Sequence, residues 1–198
     1  MAVTDRLAGD SAPPLLCFGD SLTEGYAVDP GDSYPALLQE RLRQEGHAHR
    51  VVNQGRSGDT SGDALARLDW ALRVHPRVAV VALGANDAFQ GVPRPLLEAN
   101  LAEIIQRLQR GGATVVLAGL WIPRRFGLGD PAGLQALYHG LARHLGTPLV
   151  PDLMAGVLDH PGLVLMDGFH PNGAGYRVIM ENVWRVLTGP GGGLEASG

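Results

Sequence analysis

The chain has 198 residues, 45% hydrophobic and 18% charged, which is enough for one domain with a substantial core and short for two. Its formal charge is −4 and the basic residues are scattered, a distribution that argues against a nucleic-acid partner. The single cysteine, Cys17, excludes an internal disulfide, and no uninterrupted apolar stretch reaches membrane-spanning length.

Residues 1–13 are mixed polar and read as a loosely ordered leader without the apolar segment of a signal peptide. That reading favours the cytoplasm, or the periplasm or exterior if a leader was removed. Leu15–Phe18 is a short apolar run that stops at Gly19-Asp20-Ser21, as a buried parallel strand would. Ser33 reads as the N-cap of a helix with Leu37, Leu38 and Leu42 on one face. A second strand, Arg50–Asn53, opens into the turn-rich segment Gln54–Thr60. Thr60 or Ser61 then starts a helix (Ala64, Leu65, Leu68, Leu72) that ends before Pro76. Val78–Leu83 is continuously apolar, reads as the central strand, and ends at Gly84-Ala85-Asn86-Asp87. Pro95 begins a long helix stopped by Gly111-Gly112, Thr114–Ala118 is a fourth strand, and a loop follows from Trp121 to Gly127. Asp130-Pro131 opens a helix through Leu145, and Pro148–Val150 is a short fifth strand. A loop then leads to Asp167-Gly168-Phe169-His170-Pro171 and a last helix, Gly173–Leu187. Residues 1–188 thus read as one domain, and the glycine-rich 189–198 as a disordered tail.

Alternating strands and helices imply right-handed parallel crossovers and hence a three-layer α/β/α sandwich. The polar, turn-rich clusters all fall where strands end. In a parallel sheet those ends share one edge, so Ser21, Gly58, Asn86 and His170 are predicted to converge there.

Such a convergence supplies the parts of acyl transfer. Ser21 can be a nucleophile once a base takes its proton, and His170 can be that base because imidazole titrates near neutral pH. Asp167, three residues earlier, can accept the Nδ1–H and hold the tautomer. The Ser21 amide, the Gly58 amide and the Asn86 side chain can face a developing oxyanion. Glycine suits position 58 because a ligand approaches backbone closely only where Cβ is absent. Each residue has a plainer reading: Gly-Asp-Ser and Asp-Gly are turns, Ser21 can cap a helix, and a His-Pro in a loop is commonly a surface histidine. Jointly, the plain readings require four coincidences at one sheet edge.

Gly19-Asp20-Ser21-Leu22, Gly58, Gly84-Ala85-Asn86-Asp87 and Asp167-x-x-His170 resemble, in that order, the four blocks of the SGNH (GDSL) hydrolases. Gly19–Tyr26, Ser57–Ser61 and Asp167–Asn172 resemble in particular the bacterial multifunctional esterase, thioesterase I and lysophospholipase subgroup. The resemblance implies a flavodoxin-like sheet of five parallel strands in the order 2-1-3-4-5. It also implies Ser-His-Asp catalysis by Ser21, His170 and Asp167, no metal or cofactor, and an adaptable ester site. One departure is Gly-Ala-Asn-Asp where Gly-Gly-Asn-Asp is frequent, which leaves Asn86 in place.

The expected activity is that of a serine esterase on short- to medium-chain acyl or aryl esters, extending to thioesters and lysophospholipids. A carbohydrate O-deacetylase is the alternative. Phe89, Trp121, Ile122 and Phe126 are candidates to wall the acyl site or, equally, to pack their loops down. The expected partner is a small-molecule ester, with no nucleic acid and no integral membrane association. The remaining histidines show no metal-ligand spacing.

Overall fold

The computed structural model describes residues 12–127 and 129–194. Five strands, β1 (Pro14–Gly19), β2 (Arg50–Gly55), β3 (Val78–Ala82), β4 (Thr114–Ala118) and β5 (Leu149–Val150), form one all-parallel sheet in the order β2-β1-β3-β4-β5. Strand β3 is buried at every position and β1 at every position after Pro14. Helices on both faces leave such strands no polar side, which is why they read as unbroken apolar runs.

Eight α-helices accompany the sheet among the described residues: α1 (Ser21–Glu24), α2 (Tyr34–Gln44), α3 (Ser61–Ala66), α4 (Leu68–Leu72), α5 (Ala85–Gln90), α6 (Arg94–Arg110), α7 (Pro131–Leu145) and α8 (Gly173–Leu187). Helix α6 buries Leu97, Leu101, Ile104, Ile105 and Leu108, spaced three or four apart so that one stripe faces the core. Helix α8 does the same with Tyr176, Ile179, Met180, Val183, Trp184 and Leu187. Helix α2 packs beside α8, and α6 lies against both α3 and α7. No helix among the described residues is long and apolar enough to cross a membrane.

Three expectations are corrected. The helix read from Thr60 towards Pro76 is two helices, broken at Arg67, whose backbone leaves the helical region at φ −104° and ψ 7°. Ala85–Gln90, read as turn and loop, is helical. The tail read as disordered is folded as far as Leu194, which is 4% exposed and donates its amide to the Leu187 carbonyl. Residues 1–11 of the leader and 195–198 of the tail lie outside the described residues. Ser33 does occupy the N-cap position of α2, but its hydroxyl donates to the Pro30 carbonyl instead of capping.

The site edge depends on how β1 ends. A Cβ on Gly19 would lie 2.1 Å from Thr23 Oγ1 and 2.5 Å from the Ala82 carbonyl oxygen. The chain turns out of the sheet there with no room for a side chain. Gly19→Ala is therefore expected to destabilise the fold by about 1–3 kcal/mol, as overpacking does. Urea denaturation checks this, and an unchanged midpoint would refute the packing account.

Candidate active site

Immediately after Gly19, Asp20 caps the short helix α1, its Oδ1 accepting the Leu22 amide at 3.0 Å. Ser21 is thereby the first residue of a helical turn. It is 8% exposed, and its carbonyl accepts the Tyr176 hydroxyl of α8 at 3.2 Å. Asp20 itself is buried, with Oδ2 lacking a partner among the described residues. Burial pushes its pKa up to about 7; the Leu22 amide opposes this, while the charges of Asp87 and Asp59 add to it.

His170 and Asp167 arrive from the segment before α8. The Leu165 amide donates to the His170 carbonyl at 2.7 Å and the Asn172 amide to the Leu163 carbonyl at 2.9 Å, making a small hairpin with Asp167–His170 at its tip. His170 Nε2 lies 3.0 Å from Ser21 Oγ, and His170 Nδ1 lies 2.6 Å from Asp167 Oδ2. Asp167 Oδ1 accepts the Phe169 and His170 amides at 2.9 and 3.0 Å. Partial burial raises the Asp167 pKa, but these amides and the His170 ring outweigh it, leaving the carboxyl below its ordinary value. Asp167 is thus held as an ionised acceptor, and an imidazole that places its Nδ1–H there can offer Nε2 to the serine hydroxyl as an acceptor.

The segment after β2 forms a turn closed by the Asp59 amide donating to the Arg56 carbonyl at 3.2 Å, with Gly58 at φ +86°. A Cβ on Gly58 would meet no other protein atom within 4 Å, so within the fold itself the requirement for glycine is the left-handed backbone. Asn86, in the first turn of α5, donates Nδ2–H to the Asp59 carbonyl at 2.9 Å and keeps a second N–H free of that bond. Its neighbour Asp87, fully buried, accepts the Ser61 amide at 2.8 Å and the Ser61 hydroxyl at 2.5 Å. The segments holding Gly58 and Asn86 are thus fastened to each other. Among the described residues neither the Ser21 nor the Gly58 amide donates to a protein acceptor.

The family model of the GDSL-like lipase/acylhydrolase family matches residues 17–178. The chain belongs to this family. It is 38% identical over 178 residues to Esterase TesA of Pseudomonas aeruginosa, covering 89% of each chain. It is 36% identical over 163 residues to thioesterase 1/protease 1/lysophospholipase L1 of Escherichia coli K12, covering 82% of this chain and 77% of that one. Among solved structures, the crystal structure of TesA superposes with a TM-score of 0.85 at 38% identity, covering 88% of this chain and 98% of that one.

In this member of the family, the residues read as site walls divide. Ile122 is 1% exposed and belongs to the core, so it offers no surface to a ligand, which corrects its expected wall role. Trp121 and Phe89 are exposed, and Phe126 is partly buried. Phe89 and Phe126 both meet Phe169 edge-on, at 5.1 and 5.3 Å between ring centres, and Phe169 in turn meets His170 at 5.4 Å. Tyr26 lies against the other partner, its ring centre 4.5 Å from that of His170. Phe169 and Tyr26 were not singled out from sequence, although each is an aromatic within a quoted block. Arg125 is engaged locally, stacked over Phe126 at 5.0 Å and donating to the Leu158 carbonyl at 2.5 Å.

The buried Asp20 carboxyl generates a pH dependence of stability. Below its ordinary pKa of 3.8 it is protonated in the folded and unfolded chain alike, and its burial carries no charge penalty. As pH rises towards about 7, the unfolded chain ionises while the folded one resists, so stability is lost. At about 1.4 kcal/mol per pH unit the loss reaches roughly 4 kcal/mol. Asp20→Asn keeps the cap but cannot ionise. Urea unfolding at pH 4 and pH 8 should show the stability difference moving towards the variant; a difference that stays constant would refute the assignment.

Proposed function

We propose that this carboxylic ester hydrolase cleaves short- to medium-chain acyl esters through an acyl-enzyme on Ser21. The observation that carries the reading is the unbroken line Ser21 Oγ–His170 Nε2–Asp167, with contacts of 3.0 and 2.6 Å, on the sheet edge that also holds Gly58 and Asn86.

Ser21 Oγ attacks the ester carbonyl carbon while its proton passes to His170 Nε2. Asp167 stays ionised, holds the Nδ1–H and favours the imidazolium. The carbonyl π electrons move onto oxygen, where the Ser21 amide, the Gly58 amide and the second N–H of Asn86 receive the charge. When the tetrahedral species collapses, His170 returns the proton to the departing alcohol or thiol. A water then attacks the acyl-Ser21, giving its proton to His170. The second collapse releases the acid and restores the serine.

Tyr26 beside His170, and Phe89 and Phe126 packed on the buried Phe169, offer apolar surface on which the acyl or alcohol portion rests. The match to a thioesterase and lysophospholipase of Escherichia coli supports thioesters and lysophospholipids as further substrates.

A fluorophosphonate is expected to label Ser21, and Ser21→Ala to abolish both labelling and hydrolysis of p-nitrophenyl butyrate. Asn86→Ala should lower kcat by roughly 10²–10³ with little change in KM, the size of one lost oxyanion donor. Full activity in Ser21→Ala would overturn the mechanism. A panel of p-nitrophenyl esters of rising length beside acetylated sugars tests the substrate class, and activity confined to the sugars would assign a deacetylase instead.

A further inference from the structure

We infer that Arg67 is a positioning residue for the oxyanion site, an inference that rests on the mechanism proposed above. Its guanidinium is largely buried, at 16% side-chain exposure, and lies over the Phe18 ring at 4.4 Å. Nε donates to Asp59 Oδ2 at 2.5 Å, and Nη2 donates to the carbonyls of Gly19 and Gln54, each at 3.0 Å. One planar cation thus joins the end of β1, the end of β2 and the turn that carries Gly58. Only a rigid fork of donors can serve these three acceptors together.

The consequence runs through Asp59. Its carboxylate is held by Arg67, its amide closes the Gly58 turn, and its carbonyl takes one N–H of Asn86. Two oxyanion donors are therefore set by the placement of one residue, and that residue is set by Arg67. Glu24 fastens the other side of the turn, its Oε2 accepting the Ser57 amide at 2.7 Å and also the Ser57 hydroxyl. Arg56 cannot take over the duty: it stands 3.7 Å from Asp59 Oδ1 with 72% of its side chain in solvent. The backbone agrees with this role, since the chain breaks its helix at Arg67 itself.

Displacing a catalytic group by about an ångström can cost 10²-fold in rate. Arg67→Gln is expected to lower kcat for p-nitrophenyl butyrate by about 10–100-fold, with KM within about threefold. Rates are taken per active site, counted by labelling to completion with a fluorophosphonate, so loss of folded protein does not enter. In an Asn86→Ala background the same substitution should cost much less, because part of what Arg67 positions is already gone. Asp59→Asn, which loses the charge but keeps the turn's backbone, is expected to lower kcat per site in the same direction and serves if Arg67→Gln does not fold. A kcat per site within twofold of wild type, with only the melting temperature reduced, would overturn the inference and leave Arg67 a structural counter-charge. A wild-type chain that neither labels at Ser21 nor turns over ester would instead sink the mechanism on which it rests.

Discussion

The contact on which the rest of the site depends is the passage of Gly19 against β3. With no side chain at this position, the β1 backbone leaves the sheet in van der Waals contact with Thr23 and the Ala82 carbonyl. The next two residues are a buried cap and a serine. The serine consequently stands directly over the boundary between β1 and β3, where the strand order reverses. In open α/β sheets that reversal leaves a crevice at the carboxyl ends of the strands. Everything else in the site reaches towards this point: the hairpin before α8 with His170, the turn after β2, and the first turn of α5.

Three buried or nearly buried carboxyls lie beneath that edge, and they are satisfied unequally. Asp59 has Arg67, and Asp87 has the Ser61 amide and hydroxyl. Asp20 has one amide and an oxygen with no partner among the described residues. The first two are met by charge or donors, while burial makes the third resist ionisation despite its one amide.

Much of the architecture was legible because its signals are local. Val78–Leu83 and Leu15–Phe18 read as buried parallel strands from unbroken apolar character, and the stripe on α6 fixed its inward face. That the segments after β1, β2 and β3 meet at one edge was legible from chain order, since parallel crossovers return those strand ends to one side, whereas His170 comes from the hairpin before α8 and not from a strand end. Other features were less accessible. The break at Arg67 has no local signal: Ala64, Leu65, Leu68 and Leu72 keep helical spacing across it. Ile122 looked like its loop neighbours, yet faces the core. Leu194, in a glycine-rich tail, is buried against the fold.

Sequence by itself determined the strand and helix alternation, the parallel sheet, the family, and the set of polar residues that the topology gathers. These rest on periodicity, turn chemistry and spacing within short segments, which neighbours in the chain control. Tertiary structure alone decided how those residues are held. The 3.0 Å line from Ser21 to His170 joins positions at opposite ends of the chain, and the tie from Arg67 through Asp59 to Asn86 crosses three separate segments. Hydrogen bonds of this kind depend on distances that no local pattern encodes, because each is fixed only when the sheet has brought its partners together.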